Sequence, residues 1–156
     1  MAGRSFILWL HGLGDSGPAN EPIKNLFTSH EFRNTKWSFP SAPHAPVTCN
    51  CALTLASVLL YPKTLGGGAV FSGWVPFNSS ITEQITPEAK QTPILWSHGL
   101  VDKTVLFEAG QAAPPFLQKI GVGCEFKAYP GLAHSINNEE LRYLESWIKA
   151  RLQSSS

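Results

Sequence analysis

The sequence predicts an α/β protein, with a mostly parallel sheet and flanking helices. Continuous apolar runs such as Phe6–Leu10 (FILWL) are typical of strands buried on both faces of a sheet. Segments of helical character lie between these runs, and strands that alternate with helices form βαβ units with parallel strands. Two of the runs end directly in loops that contain glycine, HGLGDSG and HGLVD, as expected where a buried strand meets a turn.

The first part of the chain is predicted to form the strand Phe6–Leu10, a helix and a second strand. Because proline is tolerated in the first turn of a helix, the helix can begin at Asn20 or Glu21 and run to Phe27. The short strand Lys36–Phe39 follows. The next seven residues, PSAPHAP, are predicted to be a loop, since their three prolines lack a backbone donor.

The second part of the chain continues the alternation. Pro114 and Pro115 fall inside a helical segment and predict a break near Ala113. Asn137 or Asn138 is a natural N-cap for the last helix. The predicted elements are a buried helix in CALTLASVLLYP that Pro62 ends, the strands Ala69–Phe71, 93–99 and Glu125–Tyr129, and the helices Phe107–Ile120 and Asn138–Leu152.

Composition limits the classes of function. The 156 residues suit one domain, residues 1–156, and the net charge of +1 favours neither nucleic acid nor a strongly charged partner. No apolar run approaches the ~20 residues that span a bilayer, and the first run is shorter than a signal sequence requires. Three cysteines, an odd number, favour reduced thiols, so we expect a cytoplasmic protein.

Three loops that follow apolar runs are the candidates for a functional site, because ligands bind at the carboxyl ends of parallel strands. They are His11–Asp15 (HGLGD), His98–Asp102 (HGLVD) and Gly131–Ser135 (GLAHS). In hydrolases of one α/β class the catalytic residues occur in the chain order Ser, Asp, His. Asp102 and His134 follow that order.

Four motifs give the chain a specific resemblance. LHGLGDSG, FSGWVP, HGLVDKTV and YPGLAHS occur in this order, and LASVLLYP lies between the first two. Together they resemble the acyl-protein thioesterase/carboxylesterase family of α/β hydrolases (phospholipase/carboxylesterase type), and among its members those of plants. The resemblance covers essentially the whole chain and implies an α/β-hydrolase-type sheet.

The resemblance also implies roles for four residues. Asp102 would orient the imidazole of His134, which would act first as general base and then as general acid. The backbone N–H of Leu13 would donate to the oxyanion, and Trp74 would lie near the acyl-binding face. Taken singly, Asp102 also suits a turn, His134 a surface position and Trp74 a core. The joint pattern favours the catalytic interpretation.

No metal or other cofactor is implied. His11, His30, His44 and His98 have no metal-ligand spacing, so we expect structural roles for them. The implied substrates are an acylated protein, a lysophospholipid or a small ester.

The nucleophilic serine of this class sits in a G-x-S-x-G turn between a strand and a helix. No serine has glycine two residues before and two after it, and Ser16, Ser57 and Ser72 each lie in another context. The family pattern places a helix and a strand ending in GFSQGG ahead of the ALTLAS-like helix. Here Asn50 is followed directly by Cys51. We therefore predict an internal deletion at 50/51 that removes the central nucleophile strand and the preceding helix.

Several functions stay open at this point. The chain is either an esterase or thioesterase of low or no activity, or a non-catalytic isoform that binds acyl groups or partners or modulates the full-length enzyme. A third hypothesis makes Cys49 or Cys51 a substitute nucleophile, although buried, unreactive thiols are the simpler interpretation. Loss of a central strand also predicts low stability or self-association.

Overall fold

The computed structural model describes residues 5–12, 15–41, 50–77 and 79–154, and for residues 50–52, 79, 80 and 154 the backbone alone. Within these ranges the chain forms five strands, seven α-helices and two short 3-10 helices. In chain order they are β1 Phe6–Leu8, α1 Gly17–Asn20, the 3-10 helices Glu21–Leu26 and His30–Phe32, β2 Lys36–Ser38, α2 Asn50–Leu59, β3 Gly68–Phe71, α3 Ser79–Thr82, α4 Pro87–Lys90, β4 Ile94–Gly99, α5 Phe107–Gln111, α6 Ala113–Lys119, β5 Cys124–Tyr129 and α7 Asn138–Ser154.

The predicted α/β class is confirmed, because helices flank strands whose pairs are all parallel in the described part of the chain. β1 pairs with β2, and the other sheet has the order β3-β4-β5. The chain divides into two compact units, Met1–Asn50 with Leu141–Ser156, and Cys51–Glu140. β1 and β3 belong to different sheets. The single domain stays a prediction.

β4 is the central strand of the three-stranded sheet, and all six of its residues are buried. This explains the apolar run at its start, Ile94–Trp96, because helices cover both faces of such a sheet. Helix α2 packs on β3 at Gly68, where a Cβ would lie 3.0 Å from Cγ2 of Val58 and 3.1 Å from Cδ1 of Ile94. Trp96 and Leu95, in the middle of β4, are almost fully buried.

The break predicted near Ala113 is confirmed. Helix α5 ends at Gln111 and α6 begins at Ala113, so that Pro114 lies in the first turn of α6, where its missing N–H is not needed. Helix α4 likewise begins with a proline, and the hydroxyl of its N-cap Thr86 accepts from the N–H of Ala89 at 3.1 Å. The four-residue helices α3 and α4 are too short to show helical periodicity in the sequence, and neither was predicted.

Two helices differ from the prediction. The first begins earlier, at Gly17, because the hydroxyl of Ser16 caps it, and its continuation around Pro22 is a 3-10 helix. The helix after Cys51 was predicted to be buried, with apolar residues over most of its surface, and this prediction is wrong for one face. Leu55 and Leu59 are fully buried, whereas Leu53 is 51% exposed. The helix ends at Leu59, before the proline at position 62.

In the unit that contains β1 and β2, a carboxylate of helix α7 accepts two hydrogen bonds from the loop residue Ser29. Oε1 of Glu145 accepts from both the N–H and the hydroxyl of Ser29, at 3.3 and 2.6 Å. Trp147, two residues closer to the C-terminus of α7, is buried. Within the described ranges, no helix combines the length and apolar character needed to cross a membrane.

Candidate active site

The loops that follow β4 and β5 are bound to each other through their backbones. The N–H of Leu100 donates to the carbonyl of Tyr129 at 3.0 Å, and the N–H of Val101 donates to that of Leu132 at 3.1 Å. The same carbonyl of Leu132 occupies the place that a Cβ on Gly99 would need. The glycine of the HGLVD motif therefore permits the close approach of the two loops that carry Asp102 and His134.

The side chain of Asp102 is buried and fully hydrogen-bonded. Its Oδ1 accepts from the N–H groups of Thr104 at 2.8 Å and Val105 at 3.0 Å, an arrangement typical of an aspartate turn. Burial alone would raise the pKa of Asp102, but the hydrogen bonds from His134, Val105 and Thr104 outweigh it and hold the pKa below its usual value. Asp102 is therefore a carboxylate at neutral pH.

His134 meets this carboxylate from the solvent side. Its Nδ1 lies 2.8 Å from Oδ2 of Asp102, and its side chain is 38% exposed whereas that of Asp102 is fully buried. A carboxylate only accepts, so Nδ1 carries the hydrogen, and Nε2 of the neutral ring is left as the basic nitrogen. A carboxylate that fixes the tautomer of an accessible imidazole is the arrangement that general acid–base catalysis requires.

A second imidazole lies on the buried side of the same carboxylate. His98 is completely buried, its Nε2 lies 2.9 Å from the carbonyl oxygen of Val105, and the same atom is 3.6 Å from Oδ2 of Asp102. Residue 98 was predicted to have only a structural role. The signal available in the sequence was its place at the end of a buried strand, four residues before Asp102.

The other predicted site residues are distributed as follows. Leu13 lies outside the described residues, so its role at the oxyanion stays a prediction. Trp74 is half-buried in the segment that follows β3. His11 is buried, and its Nδ1 is 2.8 Å from the carbonyl oxygen of Gly12. His44 lies outside the described residues, and in the part of the chain that is described no group of His, Cys, Asp or Glu side chains could hold a metal ion.

The three serines considered as nucleophiles have different surroundings. The hydroxyl of Ser16 accepts from the N–H of Ala19 at 3.4 Å as the N-cap of α1. Ser57 is exposed on α2. Ser72 follows β3 directly, with φ of 50° in the left-handed region, and its hydroxyl is buried without a hydrogen-bond partner in the described structure. None of the three combines a strained turn with an accessible hydroxyl.

The described cysteine side chain is that of Cys124 at the start of β5, and it is unpaired. Burial, with a smaller contribution from Glu125, raises the pKa of this thiol to about 12. A thiol with such a pKa is a poor nucleophile at neutral pH. Cys49 lies outside the described residues, and Cys51 is described by its backbone in the first turn of α2.

A parallel α/β sheet with a carboxylate–imidazole pair at the carboxyl ends of its strands is the arrangement of an α/β hydrolase. The model of the phospholipase/carboxylesterase family matches residues 50–152. The chain belongs to this family.

Relatives in plants and yeast agree with this assignment. The probable carboxylesterase SOBER1-like of Arabidopsis thaliana is 59% identical over 212 residues, which cover 98% of this chain and 81% of the relative. The crystal structure of Arabidopsis thaliana SOBER1, 54% identical, superimposes with a TM-score of 0.91 and covers 96% of this chain and 100% of that one. Acyl-protein thioesterase 1 of Debaryomyces hansenii is 36% identical and covers 88% of this chain and 87% of its own.

Proposed function

We propose that this chain is an esterase- or thioesterase-type protein that keeps the acid–base half of a serine-hydrolase site and lacks the nucleophile half. The observation that carries this proposal is the 2.8 Å contact between Nδ1 of His134 and the buried carboxylate of Asp102. Its hydrolytic rate is therefore far below that of a complete family member, because the remaining groups of such a site accelerate hydrolysis by only ~10³–10⁴-fold over water in serine proteases.

The chemistry of the retained half follows from the geometry. With its Nδ1–H held by Asp102, His134 offers Nε2 as the base that takes a proton from an attacking hydroxyl group. The imidazolium that forms is stabilised by the carboxylate and returns the proton to the leaving oxygen or sulfur. In a complete site the backbone N–H of Leu13 would supply one oxyanion donor, and the residue after the nucleophile would supply the other.

Three observations support the loss of the nucleophile segment. No serine lies in a G-x-S-x-G sequence. The alignment with the SOBER1-like relative runs over 212 residues, although this chain has 156, so the relative has residues inside the matched region for which this chain has no counterpart. The family match begins at residue 50, next to the proposed junction between Asn50 and Cys51.

The substrates we propose are carboxyl esters or thioesters with an apolar acyl group, such as an acylated protein, a lysophospholipid or a small ester. Apolar side chains that contact water flank both members of the pair along the chain. Leu100 and Val101 precede Asp102 and are 43% and 49% exposed, Leu106 follows it at 60%, and Ile136 lies two residues beyond His134 at 41%. Trp74 is the further contact that the resemblance predicts.

The test compares two proteins, the chain as it is and the same chain with the strand–serine–helix segment of a family member inserted between Asn50 and Cys51. Hydrolysis of a p-nitrophenyl ester and of an acyl thioester is measured for both. The restored protein should be at least 10³-fold faster, and His134→Ala should abolish that gain. Equal rates in the two proteins would refute the proposal. His30→Ala, on an exposed histidine, is the matched control.

The alternative is a non-catalytic isoform that binds acyl groups or partners, or that competes with the full-length enzyme. The buried hydroxyl of Ser72 favours it, because this serine is closed to an acyl substrate. A fluorophosphonate probe separates the two functions. Labelling of a serine that disappears in His134→Ala indicates catalysis, and the absence of labelling together with retained binding of a fluorescent acyl chain indicates the isoform.

A cysteine nucleophile is the third proposal, and it concerns Cys49 and Cys51 near the junction. If either thiolate attacked the substrate, Cys49→Ala or Cys51→Ala would remove the residual hydrolysis, and iodoacetamide would inhibit it. Unchanged activity in both variants dismisses this route. Cys124→Ala is the control, since the raised pKa of this thiol makes it a weak nucleophile. We expect reduced thiols and a cytoplasmic location.

A further inference from the structure

The HGLVD loop contains a closed ring of contacts that includes an imidazole outside the proposed acid–base pair. Nε2 of His98 lies 2.9 Å from the carbonyl oxygen of Val105, and the N–H of the same valine donates to Oδ1 of Asp102 at 3.0 Å. The ring closes because Nε2 of His98 also faces Oδ2 of Asp102 at 3.6 Å. At 3.6 Å this last approach is longer than a hydrogen bond but short enough for electrostatic attraction.

The contacts of His98 define its tautomer. A carbonyl oxygen only accepts, so the hydrogen of the ring is on Nε2. Nδ1 is buried, and no partner for it is found in the described part of the chain. A hydrogen on Nδ1 would be a buried donor without an acceptor. Gly110 lies against this side of the ring, so closely that a Cβ on residue 110 would overlap Nδ1. The geometry therefore fits the neutral Nε2–H tautomer.

This tautomer presents the positive end of an N–H dipole to both the Val105 carbonyl and Oδ2 of Asp102. His98 holds the carbonyl of Val105 and so favours the backbone conformation in which the N–H of Val105 donates to Oδ1 of Asp102. Together with the N–H of Thr104, which donates to the same oxygen at 2.8 Å, this bond opposes rotation of the carboxylate about its χ2 torsion. The remaining oxygen, Oδ2, is then directed at Nδ1 of His134, 2.8 Å away. The two imidazoles thus act on one carboxylate group in different ways. His98 orients it through Val105, and His134 bonds to its Oδ2 directly.

We propose that His98 is a positioning residue, which acts through Val105, beside the bond from Thr104, to fix the rotation of Asp102 and thereby to set the tautomer of His134. It acts without touching the substrate, because its side chain is completely buried. The proposal adds a residue to the acid–base pair of the proposed function and rests on it only for its kinetic consequence. The structural consequence is measured on the chain as it is.

The primary test is ¹⁵N NMR of the imidazole rings in the unaltered chain and in two amide variants. Glutamine places its amide nitrogen near the position of Nε2 and can donate to Val105, whereas asparagine is too short. In the unaltered chain and in His98→Gln, His134 should be mainly the Nδ1–H tautomer. In His98→Asn, it should shift to mainly Nε2–H, the form that free imidazole side chains favour. His30→Gln, on an exposed histidine, should leave His134 unchanged.

Two results overturn the inference. One is a His134 tautomer that is the same in His98→Asn and His98→Gln when both proteins unfold cooperatively. The other requires no variant, and it is a hydrogen on Nδ1 rather than Nε2 of His98 in the unaltered chain at pH 7.5. The second measurement decides the question if His98→Asn does not fold.

Kinetics separate this inference from the proposed function. In the chain with the restored nucleophile segment, His98→Asn should lower kcat at least tenfold and change KM less than threefold, and His98→Gln should recover most of kcat. If the restored chain is inactive while the tautomers shift as described, the proposed function fails and the inference stands. If the restored chain is active and kcat is equal in both variants, the inference fails.

Discussion

Gly110 lies directly against the imidazole of His98, and the space that a Cβ would take at residue 110 is filled by Nδ1 of that ring. Helix α5 can approach the end of β4 this closely because position 110 has no side chain. The glycine is destabilising in itself, since glycine in a helix costs about 0.5–1 kcal/mol relative to alanine. The glycine is present in α5 because a side chain at position 110 would collide with the buried ring of His98.

Gly110→Ala should therefore destabilise the protein although alanine is the better helix former. Overpacking of a buried site costs about 1–3 kcal/mol, which exceeds the gain in helix propensity. Urea unfolding of the variant should show that loss. Gly123→Ala is the matched control, because nothing lies within 4 Å of the Cβ position at Gly123. If both variants are as stable as the unaltered protein, the contact between α5 and His98 is not the one described.

A buried carboxyl group at the start of α7 predicts a dependence of stability on pH. Glu140 and Asn137 form a reciprocal cap, in which Oε2 of Glu140 accepts from the N–H of Asn137 at 3.0 Å and Oδ1 of Asn137 accepts from the N–H of Glu140 at 2.9 Å. Burial, with a smaller contribution from the charge of Glu139, outweighs the hydrogen bond from Asn137 and raises the pKa of Glu140 to about 7. The folded state thus favours the protonated acid.

The sign of the effect follows from linkage. Below the unfolded pKa of 4.5 this contribution to stability is fully present, and it is lost as pH rises through about 7. Glu140→Gln keeps an acceptor for Asn137 and has no charge to bury. We expect the free energy of unfolding to fall by about 1–3 kcal/mol between pH 5 and 8 in the unaltered protein and to stay level in the variant. Glu108→Gln, on an exposed residue of α5, should retain the fall.

Asp102 predicts the opposite pH dependence. Burial would raise its pKa, but the bonds from His134, Val105 and Thr104 lower it below the usual 3.8. Its stabilisation is therefore present above pH 3.8 and lost as pH falls through the lower folded value. In Asp102→Asn, the free energy of unfolding at pH 7 should drop by about 1–3 kcal/mol, because the amide cannot accept from His134 as a charged oxygen does. The acid-induced decline below pH 4 should be shallower. A decline identical to that of the unaltered protein would contradict this account.

An element of the fold could be predicted from the sequence where its cause lies in the residues of that element. The buried strand β4 and the break between α5 and α6 were predictable, because an apolar run and two prolines act on the residues that contain them. Helix α2 was predicted to be a buried helix, because apolar residues cover most of its surface, yet Leu53 is half-exposed. Composition cannot say which face of an apolar helix meets a sheet, since that depends on what packs against it.

In the candidate site, too, some residues could be predicted from sequence motifs, whereas the role of another depends on packing. Asp102 and His134 were identified from the order of the motifs and the resemblance, and their contact could be expected from parallel strands that end at one edge. His98 was assigned a structural role, because one histidine in a strand carries no spacing signal. Its relation to Asp102 depends on Val105 and Gly110, which become its neighbours only when the loop turns back and α5 covers the strand.

The exposed apolar face of β1 predicts self-association. Phe6 and Leu8 are two residues apart and so lie on one face of the strand, and they are 59% and 49% exposed. An apolar face of this kind on a strand that pairs with β2 is a surface for association with a second copy of the chain. We expect the protein to be oligomeric at micromolar concentration in sedimentation velocity, and as a monomer to unfold below about 60 °C.

Phe6→Thr combined with Leu8→Thr should shift the protein to the monomer. Threonine keeps the β propensity of the strand and removes most of the apolar surface. Because both side chains are about half-exposed, the variant should lose less than about 1 kcal/mol of stability. Leu26→Thr is the matched control, since Leu26 is 50% exposed on a 3-10 helix outside the strand and should leave the oligomer intact. An unaltered chain that sediments as a monomer, or a double variant that associates as strongly, would show that β1 is not the interface.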